Sequence, residues 1–178
     1  MEVRMARTDV LILSDSHGKG DLAEKVAALT RPHLTIFCGD GLRDLDMRPT
    51  LHPLYAVCGN CDIFSTPGMG DIEETIILNL DGVRLFITHG HRYGVKSGLG
   101  TLITKAVREN ADAVIFGHTH EPLDITLLPE NTMYQYGIQL NKPLHLFNPG
   151  SLGYDPHNFG TLTIKDGVPL FGHGQIKN

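Results

Sequence analysis

Side chains that can hold a metal ion recur in one setting along this chain. Asp15 and His17 follow the apolar run Val10-Leu11-Ile12-Leu13, and Asp40 follows Leu34 to Cys38. Asn60 and Asp62 follow Leu54 to Val57, and His89 and His91 follow Val83 to Thr88. His118 and His120 follow Ala113-Val114-Ile115-Phe116. Short runs rich in β-branched and aromatic residues read as buried strands, so each donor group sits just past a strand end. In open α/β sheets, the crevice beyond the carboxyl ends of the strands is where ligands bind. Gly117 allows close backbone approach, and His118 and His120 project to one side if the chain stays extended there. Two polar loop histidines are the plainer reading of that pair in a chain with ten of them.

Imidazole and oxygen donors together suit divalent transition metals, whereas a thiolate cluster would suit structural zinc. Asp15, His17, Asp40, Asn60, His89, His118 and His120 are seven candidate ligands, too many for one tetrahedral ion. They fit two ions sharing one carboxylate. Two-metal sites hold their ions roughly 3.5–4 Å apart and commonly hydrolyse phosphate esters or amides.

The rest of the chain must position these turns. Its 178 residues are expected to form a single domain, 1–178, large enough to bury about two-thirds of the unfolded surface. A net charge of −5 argues against strong nucleic-acid binding, which needs a basic face. Basic residues are scattered, so no membrane-surface patch is expected, and the longest apolar stretches are strand-sized. Met1 to Thr8 is too polar for a signal peptide. Cys38, Cys58 and Cys61 are odd in number, which argues against a disulfide framework and for a reducing cytoplasm.

Asp9 to Ser14 reads as a central strand, followed by a helix in which Leu22, Val26 and Leu29 are spaced i, i+4, i+7. Asp21-Leu22-Ala23-Glu24 has the form of a capping box, and Pro32 should end the helix. Leu34 to Cys38 and Leu54 to Val57 are further strands, with a short irregular or helical piece over Leu42 to Met47 between them. Strand, helix, strand is the grammar of a parallel sheet. After a Pro/Gly-rich loop, Ser65 to Gly70, two strands flank a hairpin turn at Asp81-Gly82. A helix from about Leu99 to Glu109 presents Leu99, Leu102, Ile103 and Ala106 on one face, with Ser97 as its N-cap. Pro122 to Leu128, Leu144 to Phe147, Gly160 to Lys165 and Val168 to Gly172 complete the strands, the last two joined at Asp166-Gly167.

The ordered series Asp15-x-His17, Gly39-Asp40, Gly59-Asn60-x-Asp62, His89-Gly90-His91 and Gly117-His118-x-His120 resembles the calcineurin-like metallophosphoesterase family. The small size, Cys61 after Asn60, and Asn148-Pro149-Gly150-Ser151 are similar to its short bacterial and archaeal phosphodiesterase branch. That resemblance implies a four-layer α/β/β/α sandwich of two mixed sheets. It also implies metal-dependent hydrolysis of a small phosphodiester by a hydroxide between two divalent ions. Manganese is the first expectation, with Fe, Ni, Co or Zn admitted by the same donors. Asp15, His17 and His120 would hold one ion; Asn60, His89 and His118 would hold the other; Asp40 would bridge them.

Cys61 stands where most of the wider family has a histidine able to assist the leaving group. A thiol is a weaker donor without positive charge, so good leaving groups or slow turnover are expected. Asp40, Asn60, Cys61, Asp62 and His91 are the candidate catalytic residues. Asp62 is read first as a supporting carboxylate, and His91 as capping its turn rather than facing substrate. His33, His52, His145, His157 and His173 are read as ordinary hydrogen-bonding histidines, and Cys38 and Cys58 as small hydrophobes. Asn148 to Ser151 is read as a structural turn. Glu130 to Lys142 could be a hairpin extension, a partner surface or a partial lid. The alternative function is a non-catalytic scaffold of the same fold that binds a protein partner, like the small retromer subunit. An oligomer is allowed but not required.

Overall fold

The computed structural model describes residues 7–45, 48–62, 72–130 and 136–177. Val10 to Leu13 are 2% exposed or less, as a strand must be when both of its faces are covered. They lie in β1 (Arg7–Leu13), which pairs in parallel with β2 (Leu34–Phe37) from Val10↔Leu34 to Leu13↔Phe37. Helix α1 (Gly20–Thr30) makes the crossover between them, and β3 (Leu54–Ala56) adds in parallel to β2. On the other side, β9 (His157–Lys165) runs antiparallel to β1, and β10 (Val168–Ile176) antiparallel to β9. The first sheet therefore has the order β10-β9-β1-β2-β3.

A second mixed sheet uses the middle of the chain. The hairpin β4 (Thr75–Leu80) and β5 (Val83–Thr88) turns at Asp81-Gly82, as the sequence predicts. Helix α2 (Gly100–Arg108) leads to β6 (Ala113–Ile115), followed by β7 (Pro122–Leu127) and β8 (Leu144–Pro149). The order is β4-β5-β6-β8-β7, with β5, β6 and β8 parallel and the two edge strands antiparallel. Pro122 opens an edge strand, where a missing N–H is tolerated.

Three apolar layers hold the sandwich. Between the sheets, Val10, Ile12 and Ile36 meet Val83, Leu85, Ile87, Ile115 and Phe147. The opposite faces of β1 and β2, Leu11, Leu13 and Phe37, pack against Leu22, Ala23, Val26 and Ala27 of α1. Phe86, Val114 and Leu146 pack against Leu102, Ile103 and Ala106 of α2. Alternate residues of each central strand thus serve different cores, and the order of layers is helix, sheet, sheet, helix.

Three local expectations are corrected. The N-cap of α1 is Lys19 and no side chain caps it; Asp21 and Glu24 instead bind Arg48 at 2.9 and 2.8 Å. Helix α2 starts at Gly100 behind Leu99, without a cap from Ser97. Leu29 is 71% exposed, because the stripe of α1 that meets the sheet is shared by Leu22 and Val26 with Ala23 and Ala27. At roughly 100° per residue, that stripe is centred about a quarter-turn away from Leu29. The Ser65 to Gly70 loop lies outside the described residues. Of Glu130 to Lys142, the described part places Tyr136, Ile138 and Leu140 on the α2 core, joining β7 to β8. Among the described residues no helix is long and apolar enough to cross a membrane.

Leu85 is fully buried between the sheets. Leu85→Ala is expected to lower unfolding stability by about 2–5 kcal/mol through lost burial and a residual cavity, read as a shifted midpoint in urea denaturation.

Candidate metal centre

The parallel strands of both sheets deliver their C-terminal turns to one rim. The Asp15 amide donates to Gly39 O at 2.9 Å, and the Gly117 amide donates to His89 O at 3.1 Å. His118 crosses between the sheets, its amide donating to Asp15 Oδ2 at 3.1 Å. These turns are sharply bent. Asp15, His17, Asp40, His118 and His120 all have positive φ, between 40° and 68°. His118 and His120 are therefore not extended, and they part into two groups instead of projecting together.

In the first group, ligand atoms of Asp15, His17 and His120 lie within 4.8 Å of one another. Asp15 is fully buried; its Oδ2 also accepts from Ser14 Oγ at 2.5 Å. Its Oδ1 has no hydrogen bond, although His120 Nε2 stands 3.1 Å away. His17 Nε2, 4.0 Å from the same oxygen, is likewise buried without a partner. Asp44 fixes the His17 turn, its Oδ2 accepting from Ser16 Oγ at 2.5 Å and Gly18 N–H at 2.7 Å.

In the second group, Asp40, His89 and His118 offer ligand atoms within the same limit. His89 Nδ1 lies 2.6 Å from Cys38 O, and a carbonyl can only accept, so Nδ1 carries the proton and Nε2 is free to ligate. Around His89 Nε2 stand His118 Nδ1 at 3.1 Å, Asn60 Oδ1 at 3.2 Å and Asp40 Oδ2 at 3.4 Å. Four lone-pair donors facing one point need a proton or a cation among them. Together with the orphaned Asp15 Oδ1 and His17 Nε2, this donor set fits two divalent ions.

These crowded donors perturb one another's charge. Burial opposes ionisation of Asp40, but the His89 contact and the Cys61 N–H at 2.7 Å hold its carboxyl well below the ordinary carboxylate range. Burial raises the pKa of Asp15, against the pull of His89 and Ser14. Burial also lowers His89, yet hydrogen bonding to Asp40 and the charges of Asp15 and Asp40 raise it overall. Burial, then the nearby His89, push His118 down to about 4, leaving a neutral imidazole with a lone pair to give.

Asp62 is not in the pocket. Its Oδ2 accepts from Asp40 N–H at 2.7 Å and Gly59 N–H at 2.9 Å, and its Oδ1 from Gly41 and Leu42 at 2.9 and 3.0 Å. Four backbone amides use both oxygens, so this carboxylate builds the turns that carry Asp40 and Asn60. Gly59 must lack a side chain, since a Cβ there would lie 2.5 Å from Asp40 N. At Gly117 a Cβ would meet Ser14 Oγ at 1.9 Å. His91 opens a single 3-10 turn, with its ring 5.4 Å from His89 and 6.2 Å from His118. Its Nδ1 is buried without a partner, so it caps nothing through that atom and borders the second group. Cys61 is exposed; burial, then Asp40 and Asp62, push its thiol up to about 11.

Asn148 to Ser151, read from the sequence as a turn, instead carries the last two residues of β8 and the bend after them, and it ties the two donor groups together. Asn148 Nδ2 donates to Gly117 O and Thr119 Oγ1 at 2.9 and 3.1 Å, while Ser151 Oγ donates to Asp15 O at 2.8 Å. The five remaining histidines serve elsewhere: His33 accepts from Asp9 N–H, His145 faces Asp124, His157 bonds Leu152 O and His173 bonds Asn148 O. His52 sits exposed before Pro53. Sequence reasoning did not reach Ser14, Asp44 or Tyr154. Ser14 reads in the sequence only as a strand end and Asp44 only as part of a short irregular or helical piece, and Tyr154 gives no signal.

Known proteins give the same picture. The profile of the calcineurin-like phosphoesterase superfamily domain matches residues 9–167. A Bacillus subtilis protein named probable metallophosphoesterase YsnB is 36% identical over 118 residues, 63% of this chain and 64% of that protein. A probable metallophosphoesterase of Mycoplasma pneumoniae is 32% identical, covering 82% of this chain and 79% of its own length. Phosphodiesterase YfcE of Escherichia coli K12 is 30% identical over 62% of this chain, which spans 53% of that relative. Among solved structures, a conserved uncharacterized protein of Streptococcus pneumoniae TIGR4 superposes with TM-score 0.73 at 22% identity, covering 96% of this chain and 91% of its own. Vacuolar Protein Sorting 29 of Cryptosporidium parvum superposes with TM-score 0.69 at 16% identity, over 97% and 99% of the two chains. Two mixed sheets flanked by helices, with two groups of side chains on one rim that could each hold a metal ion, carry the sequence of a member of the calcineurin-like metallophosphoesterase family.

Proposed function

We propose that this protein hydrolyses small phosphodiesters with two divalent cations, manganese foremost among Mn, Fe, Co, Ni and Zn. The observation that carries the reading is the pair of buried, unpartnered ligand atoms, Asp15 Oδ1 and His17 Nε2, beside a second convergence of donors at His89 Nε2. Asp15, His17 and His120 would hold one cation and Asn60, His89 and His118 the other. Asp40 would serve both, its turn being bonded to the Asp15 turn by His17 N–H to Asp40 O at 3.4 Å. When bound, such cations neutralise phosphoryl charge and bring the pKa of a water down to roughly 7.

The chain's own residues set the conditions for that chemistry. Cys38 O fixes the His89 tautomer, and the Cys61 amide keeps Asp40 oriented and charged. Attack forms one P–O bond as the bond to the leaving alcohol breaks in line with it. The Cys61 thiol, protonated and uncharged, gives that departing oxygen little help. Esters of acidic alcohols and phenols are therefore the favoured substrates. The free thiols of Cys38, Cys58 and Cys61 fit a cytoplasmic setting.

With Mn²⁺ supplied, the protein is expected to hydrolyse bis(p-nitrophenyl) phosphate, to lose that activity in EDTA, and to lose about 10²-fold or more in Asp40→Asn. A folded protein that binds Mn²⁺ by calorimetry but cleaves no diester would instead favour the partner-binding scaffold. Cys61→His is expected to speed cleavage of poor leaving groups within the general-acid range of about 10²–10⁴-fold, seen as a flatter dependence of rate on leaving-group pKa. An unchanged dependence would count against the thiol as the limiting group. Asp62→Ala frees four backbone amides and is expected to weaken Mn²⁺ binding by about 10–100-fold, measured by titration calorimetry.

A further inference from the structure

The turn after β8 places an aromatic ring at the lip of the first ligand group. Three hydrogen bonds lash this segment to the Asp15 turn: Ser151 Oγ to Asp15 O at 2.8 Å, Leu152 N–H to Ser14 O at 3.1 Å, and Gly153 N–H to Asp15 O at 2.9 Å. Tyr154 follows directly. Its ring stacks on His120, centroids 5.0 Å apart and 28° between planes, and leans on His17 at 5.3 Å and 52°. Yet Tyr154 remains 54% exposed.

A ring placed only to prop two imidazoles would gain by burial, since apolar surface left in water forgoes about 25 cal/mol per Å². Here a hydrogen-bonded backbone holds the ring beside the first donor group, with one part against His120 and the rest turned to solvent. Resting on the phosphodiesterase reading above, we propose that Tyr154 is a stacking platform for a planar aromatic group of the substrate. The substrates would be nucleotide or aryl phosphodiesters, with alkyl diesters the poorer class. Base–aromatic stacking tolerates any base, so the platform selects for a ring and not for its identity.

Three esters that release the same p-nitrophenolate isolate the retained group: thymidine 5′-, phenyl and methyl p-nitrophenyl phosphate. The wild type is expected to prefer the ring-bearing esters over the methyl ester. Tyr154→Leu should cut that preference about tenfold, mainly through KM, and Tyr154→Phe should keep it. A loss confined to the thymidine ester identifies a nucleobase as the ring, and a loss on both ring-bearing esters identifies any aromatic group. An unchanged preference in Tyr154→Leu overturns the proposal. So does an equal loss on all three esters together with weaker Mn²⁺ binding by calorimetry, which would make Tyr154 a positioning residue for His17 and His120. If the wild type cleaves none of them, the phosphodiesterase reading falls by itself. Calorimetric binding of thymidine 5′-monophosphate to the Mn²⁺-loaded protein then decides the platform: weaker binding in Tyr154→Leu supports it, and equal binding overturns it.

Discussion

Two carboxylates held out of water govern how this structure is built. Asp15 and Asp40 are 0% and 3% exposed, and a buried charge without compensation is among the costliest features a fold can carry. Each is therefore split in its duties. Asp15 Oδ2 and Asp40 Oδ1 are tied down by hydrogen-bond donors, Ser14 and His118 in one case and Cys61 in the other. The second oxygen of each is turned toward imidazoles. Left-handed backbone at five of the candidate ligands adds strain of about 1–3 kcal/mol each, which persists only where the surroundings over-determine it.

The surroundings do so through layered support. Beneath the candidate ligands lie turn-building groups: Asp62 with its four amides, Asp44 holding the His17 turn, and Asn148 tying the end of β8 to the Gly117 to Thr119 turn. Beneath those lie the central strands, packed on both faces so that their ends cannot drift. One sheet contributes Asp15, His17, Asp40 and Asn60, and the other His89, His118 and His120. Closure of the inter-sheet core is thus what brings the two halves of the ligand set into reach.

Much of this was legible in the chain. Ligand types placed after strand-like runs identify both the strands and the rim, because a buried parallel strand must be apolar throughout and must end in a polar turn. The hairpins at Asp81-Gly82 and Asp166-Gly167 are equally plain. Capping was not legible: Asp21 and Glu24 have the right spacing for a box, but Arg48, remote in sequence, takes both carboxylates. Leu29 has the right spacing for a buried face, but alanines make the closer contact with the sheet. Tyr154 carries no periodic or motif signal, since its place beside His120 depends on hydrogen bonds between residues more than a hundred positions apart.

That long-range stitching has a consequence for how the protein is made. β1 is synthesised first, yet one of its two neighbours is β9, and the backbone oxygens of Ser14 and Asp15 are satisfied by residues 151–153. A growing polypeptide that has emerged only as far as α2 possesses most of the candidate cation ligands but not the brace that bends the first of them into place. The first donor group therefore takes its bent form only after residues 151–153 and β9 have followed it out of the ribosome and closed on β1.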